Sequence, residues 1–249
     1  MSSLFDHATA QYASLEQTAH RPWPLPGRPW TMAQTWVELL FAHYRVDSRS
    51  LRPHVPSALE PEEHDGSAWV SLTPFRATGT RLRGTLPLPR LSSYLELNCR
   101  TYVRDVHGRS GIWFFSLDAS ARWAVEAARR LYRLPYHQAR MSFAGGAFES
   151  SRIGADGVSF SARYQGVGPI HAAEPGSLDH FLAERYCLYA DNGRKRADIH
   201  HAPWPLQDAE GEVELQTVAP LRLEGAPLLR YAGRIDVLIW SVEPVSLSA

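Results

Sequence analysis

The sequence predicts a mostly β domain, β-rich α+β in class, whose short strands form a barrel or sandwich around one core. Three observations lead there. The 249 residues are 44% apolar and 21% charged, a balance typical of ordinary globular domains and unlike disordered, coiled-coil or collagen-like chains. From Thr35 onward the chain breaks into short β-rich runs separated by Gly, Pro and Asp, as strands bounded by turns do. Only a few segments carry helical periodicity, and many strands with few helices favour a barrel or sandwich over layered α/β folds.

Taken in order, residues 1–30 are polar and then proline-rich, with Pro22, Pro24, Pro26 and Pro29 interleaved with Trp23 and Trp30. This reads as an extended N-terminal arm pinned by its tryptophans. Residues 31–249 read as a single domain, without repeats or an interdomain linker. Strands are expected at 34–46, 67–77, 93–104, 110–117, 140–149, 157–165, 186–191, 212–219 and 234–243. A short helix follows Asp47 as N-cap and ends before Pro53 or Pro56, and another starts at Ser177 and buries Leu178, Phe181 and Leu182. The clearest helix is 119–132, where Trp123, Ala124, Ala127, Ala128 and Leu131 recur at helical spacing, and Pro135 stops it.

Lys+Arg and Asp+Glu balance at 26 each, so no net positive field draws in nucleic acid or an anionic membrane. The N-terminus has no signal-peptide pattern and no stretch is long and apolar enough for a membrane helix, which predicts a cytoplasmic protein. Cys99 and Cys187 lie outside any CxxC pattern and read as reduced core residues. No local zinc-ligand spacing and no GxSxG elbow is present; no metal or other cofactor is expected. Gly145-Gly146 and the GVG at 166–168 read as bends or bulges. Lys195 is the only lysine, so amine chemistry has to use it or the N-terminus.

The most informative segment is SYLELNCRTYV. With the period of 2 of a strand, Leu95, Leu97, Cys99, Thr101 and Val103 share one face, and Tyr94, Glu96, Asn98, Arg100 and Tyr102 the other. A polar row of this kind lines either solvent or an enclosed cavity. The spacing of Glu96 and Arg100, suited to a diagonal pair or a common ligand, and the flanking tyrosines favour the cavity. There, an unpaired Glu96 has a raised pKa and can act as general acid or base, whereas pairing with Arg100 keeps it ionised. His43 on the first strand is a further candidate. His200 and His201 point to opposite faces, beside a corner made by Pro203, Trp204 and Pro205, and His201 is kept as a ligand-binding candidate. The Trp-Phe-Phe run at 113–115 reads as core.

The segments YRVDSRSLRPHVPSALE (44–60), GSAWVSLTPF, SYLELNCRTYV, GIWFFSLDA, RLPYHQARM and HHAPWPL closely resemble the uncharacterised DUF2071 family, which is similar to acetoacetate decarboxylases. The resemblance spans Trp36 to Pro244 and implies a closed, mostly antiparallel β-barrel-like body with a few packed helices and an internal ligand cavity. Decarboxylases carry a Tyr-Arg-x-Asp run leading to Leu and Val-Pro, matched here by Tyr44, Arg45, Asp47, Leu51, Val55 and Pro56 as scaffold. They also carry a Tyr-x-Glu at the active site, matched by Tyr94-x-Glu96. Their Schiff-base lysine pair follows a proline, whereas Tyr136 and His137 follow Pro135 here, and Val37 stands where they have a cavity arginine. The resemblance therefore implies the fold and Glu96 without the imine chemistry.

These readings combine into an expected lyase, hydratase or hydrolase acting on a small carbonyl or carboxylate compound. Glu96 would be the acid or base, His137 or Tyr136 would exchange the second proton, and Arg100 would hold an anionic group, with Asn98, Tyr94, Tyr102, His43 and His201 around it. The alternative is a non-catalytic ligand carrier or sensor. The expected partner is a small molecule, not nucleic acid or membrane, and association of copies of the chain is left open.

Overall fold

The computed structural model describes residues 4–88 and 92–245. Residues 1–3 of the expected arm and 89–91 and 246–249 of the expected domain lie outside them. The chain runs as α1 (Leu4–Ala13), β1 (Met32–Val46), α2 (Ser48–Leu51), β2 (Glu60–Pro61), β3 (Ala68–Leu82), β4 (Tyr94–Arg104), β5 (Ser110–Ala119), α3 (Arg122–Tyr132), β6 (Tyr136–Ala144), β7 (Ala147–Arg152), β8 (Ser159–His171), α4 (Leu178–Ala183), β9 (Cys187–Ala190), β10 (Lys195–His200), β11 (Leu206–Gln216), β12 (Leu228–Ile239) and β13 (Glu243–Pro244). Among the described residues the thirteen strands make one sheet.

That sheet closes on itself. Following the pairings, β5, β9, β10, β12, β1, β3 and β4 form a ring that returns to β5. Every pairing in the ring is antiparallel except β5 with β9. A second layer, β6, β7, β8 and β11, leaves β5 and rejoins at β12. One core fills the ring, with Phe41, Phe75, Phe114, Leu117, Ile199 and Trp204 among its members. The other packs Leu40, Leu72, Leu97 and Cys99 against Phe148 and Phe160 of the second layer. Strands β1, β3 and β4 are therefore a wall between two cores, and β4 is buried on both faces from Tyr94 to Val103. No helix among the described residues is long and apolar enough to cross a membrane.

Several expectations need correction. Residues 4–13 of the arm are helical; proline begins only at Pro22, and the extended course follows it. The arm is nonetheless pinned by tryptophans: Trp30 is buried beside Leu238 and Trp240, and the Arg109 guanidinium lies 5.5 Å from the Trp23 ring. The expected strand at 140–149 is a hairpin, β6 turning into β7 at Gly145-Gly146, both at positive φ. β10 was not anticipated, because Lys-Arg-Ala-Asp-Ile-His lacks an apolar alternation long enough to register. The helix at 119–132 exists as α3, but it buries Ala124, Val125 and Tyr132 while Trp123 is 42% and Leu131 62% exposed. Its docking face is the one that seats Ala124, Val125 and Tyr132 and not the Trp123–Leu131 side that the periodicity suggested. Both expected caps form: Asp47 accepts from the Arg49 amide and Ser177 from the His180 amide. Both cysteines are free and buried.

A bulge in β1 positions the site. Glu38 sits at φ 54°, and the inward-facing set shifts there from Gln34 and Trp36 to Leu39, Phe41 and His43. One extra residue turns the alternation over.

Candidate functional site

The polar face of β4 lies inside the ring. Glu96, Asn98 and Arg100 are 3–4% exposed and Tyr102 is fully buried. In the ladder, Arg100 stands opposite Ser71, Asn98 opposite Thr73 and Glu96 opposite Phe75. Across the other edge, Arg100 faces Phe114, Asn98 faces Leu117 and Glu96 faces Ala119. Directly opposed residues share a face, so the row is bounded by aromatic and aliphatic side chains with two hydroxyls.

Glu96 has no cation beside it. Tyr136 donates its hydroxyl to Glu96 Oε1 at 3.1 Å and Asn98 supplies a second hydrogen bond, while Oε2 has no partner in the protein. Burial outweighs both bonds and raises the carboxyl pKa to about 8, so at neutral pH it is mostly protonated. Tyr136 is itself held well above its ordinary value by burial and by the Glu96 charge. Tyr94 is raised likewise; its hydroxyl accepts from Gln34 Nε2 at 2.8 Å, and Gln34 Oε1 accepts from Trp36 Nε1 at 2.7 Å. Tyr136→Phe removes the hydroxyl that stabilises the carboxylate and is expected to raise the Glu96 pKa further. Carboxyl ¹³C shifts followed against pH would show it, and a lowered pKa would contradict this geometry.

Four residues along a strand span ~13 Å, and no ion pair joins Arg100 to Glu96. Burial lowers the Arg100 pKa, with Tyr102 the main opposing influence. Its guanidinium lies 5.3 Å from the Phe41 ring, and Nε and Nη2 have no hydrogen-bond partner in the protein. His43 completes this end: its Nδ1 is 3.2 Å from the Tyr102 hydroxyl and its ring stacks on Phe41. Burial, with Arg100 and Arg230 nearby, holds His43 well below its ordinary pKa, so it is neutral. The contrast with Arg185 is instructive. Arg185 is just as buried, yet it pairs with Glu62 at 2.5 Å and donates to the Phe181 carbonyl at 2.7 Å.

The structure thus brings together Tyr94, Glu96, Asn98, Tyr136, Arg100, Tyr102 and His43. It does not bring His137 or His201 to the row. His137 follows Tyr136 on β6 and so faces the other way, its register partner being Asp118 on the far side of β5. Burial and the charges of Arg152 and Arg129 lower its pKa to about 4. His201 lies in the Pro203-Trp204-Pro205 corner, its ring nitrogens facing the carbonyls of Ala202 and Arg185 and its ring stacked on Tyr186. Trp204 of that corner does reach the ring interior, edge-on to Phe41 at 4.9 Å. Phe41, Trp36 and Phe114 were missed as neighbours of the row. Their placement depends on the β1 bulge and on a register break opposite Cys99 and Arg100, which leave no mark in the sequence. Among the described residues, no three His, Cys, Asp or Glu side chains gather closely enough to hold a metal.

The DUF2071 family profile, described as an uncharacterized conserved protein, matches residues 33–236. The chain belongs to the DUF2071 family. A relative in Bacillus subtilis (strain 168), the uncharacterized protein YqjF, is 43% identical to this DUF2071 chain over 226 residues, covering 87% of it and 93% of the relative. Among solved structures the fold is similar to acetoacetate decarboxylase from Legionella pneumophila, at TM-score 0.62 and 12% identity over 92% of this chain and 93% of that one. It is similar to an acetoacetate decarboxylase-like enzyme from Sphingomonas wittichii RW1, at TM-score 0.59 and 13% identity over 92% and 99%. It is also similar to the enduracididine biosynthesis enzyme MppR complexed with pyruvate, at TM-score 0.60 and 12% identity over 92% and 95%. The DUF2071 chain therefore has the acetoacetate decarboxylase-like fold, as its motifs implied.

Proposed function

We propose that the inward row of β4 is the acid–base site of an enzyme acting on a small carboxylate-bearing carbonyl compound, by lyase, hydratase or hydrolase chemistry without an imine. One observation carries this reading: a buried carboxyl and a buried guanidinium share one face and do not neutralise each other. Each alone is costly to bury. A ligand carboxylate would give Arg100 the bidentate acceptor its planar fork suits. A ligand carbonyl or hydroxyl extending toward Glu96 would meet a carboxyl that holds its proton at neutral pH, which suits a general acid. Tyr136, kept protonated, would hold that carboxyl in place and exchange the second proton. The row contains no amine.

Pyruvate is a reasonable first probe, because it carries both groups and is the compound bound in the MppR neighbour. The expected result is binding of pyruvate by calorimetry, with loss of its methyl-proton signal in D₂O that quickens as pH rises toward 8, because the ionised fraction of Glu96 takes the methyl proton and returns a deuteron while the Tyr136 hydroxyl donates to the enolate oxygen. Glu96→Gln should retain binding and slow the exchange on the order of 100-fold, the usual worth of one general acid–base group. Binding without exchange in the wild type favours the carrier or sensor alternative. Absence of binding, with no small molecule released by denaturing extraction of the purified protein, removes the site.

A further inference from the structure

The row is enclosed, so a ligand needs a way in, and the sheet has one place where the wall divides. On the side of β5 away from β4, Ile112 and Trp113 pair with β9, while Leu117 to Ala119 pair with β6. Residues 114–116 therefore have a strand neighbour on one side only. At this fork a cleft of about 500 Å³ is lined by the 113–115 run, by Arg133, Leu134 and Pro135 leading into β6, and by Asp191 and Asn192 following β9, with His54 and Pro220 as its outer lip.

The floor of this cleft belongs to the ring interior. Phe114 and Leu134 are 6% and 8% exposed members of the inner core. Phe114 stands directly opposite Arg100 in the ladder, and Pro135 precedes the tyrosine that hydrogen-bonds Glu96. Arg133, the left-handed C-cap of α3, and Asp191 and Asn192, in the turn between β9 and β10, also line it. A second cleft, whose charged lining is Arg28, Arg109, Arg196, Asp198 and Glu243, is spanned by ion pairs that clamp the arm and touches no residue of the row.

The geometry points to the cleft between β6 and β9 as the portal to the Glu96–Arg100 row for a small carboxylate ligand, with the Phe114 ring as the barrier between them. This rests on the reading of the row as a ligand site, so its test uses a probe that needs no ligand. A thiol placed in the row by Asn98→Cys is timed against a small anionic methanethiosulfonate reagent. The neighbouring Cys99 is fully buried on the other face and reports any general opening in the same molecule.

Phe114→Ala added to that variant is expected to speed modification of the introduced thiol at least 10-fold with Cys99 unchanged. Pro220→Trp, which adds bulk to an exposed lip and leaves the core intact, should slow it several-fold. Acceleration shared equally by Cys99 means that the label arrives through unfolding, and rates indifferent to both changes mean that it arrives elsewhere; either overturns the portal. If the labelling pattern holds while pyruvate binds no variant, the portal stands and the substrate reading fails.

Discussion

Glu96→Gln is expected to raise the melting temperature, by an amount that grows between pH 5 and pH 8. The carboxyl titrates near 4.5 in the unfolded chain and at about 8 when folded, because burial outweighs its hydrogen bonds from Tyr136 and Asn98. Between those values the folded state holds a proton that the unfolded state has released. Stability of the wild type therefore falls as pH rises, by roughly 1.4 kcal/mol per pH unit, and levels off above the folded pKa. Glutamine keeps the neutral shape and does not titrate. The variant should match the wild type near pH 4, exceed it by roughly 3 kcal/mol at pH 7, and approach ~5 kcal/mol above pH 8. At ~2–4 °C per kcal/mol for a domain of this size, the pH 7 gain is about 6–12 °C. Thermal melts of both proteins across this range decide it. A difference that does not change with pH would mean that Glu96 titrates normally, and its role as a proton donor at neutral pH would go.

Arg100→Met should separate binding from stability in the other direction. The guanidinium is buried with no carboxylate partner, so an apolar side chain of similar length removes a desolvation cost, and the melting temperature should stay level or rise. Pyruvate affinity should fall on the order of 100-fold or more, since removing one partner of a buried, hydrogen-bonded charge pair costs about 2–5 kcal/mol. Arg185→Met is the internal contrast. Its partner Glu62 is 7% exposed and would keep only the half-exposed Arg104 at 3.5 Å and the Ser110 hydroxyl, so stability should fall, toward the lower end of the roughly 3–5 kcal/mol that breaking a buried pair costs. If Glu96→Gln and Arg100→Met each destabilise strongly and the double variant recovers, the two residues form a scaffold pair and the site reading is lost.

The portal and the row make different demands on the same strand. β5 supplies Phe114 to the inner face of the ring and Asp118 to the outer one, where Arg152 holds it at 2.8 Å. His137, beside Asp118, belongs to that outer polar cluster. Its separation from Tyr136 follows from β6 beginning at Tyr136, four residues before the strand expected at 140–149, because consecutive strand residues face apart.

What the sequence determined by itself was local. Alternation over 93–104 assigned Tyr94, Glu96, Asn98, Arg100 and Tyr102 to one face, and Asp47 and Ser177 announced their helices. Steric limits on the backbone, side-chain capping and motif order act over a few residues, and a sequence displays them directly. The tertiary structure decided which faces are enclosed. The apolar face of β4 is covered by Phe148 and Phe160, more than 40 residues farther along the chain, and its polar face is closed by the return of β12 to β10 and β1. Burial, and with it the Glu96 pKa, depends on that distant cover. So do the face of α3 that docks and the register that sets Phe114 opposite Arg100.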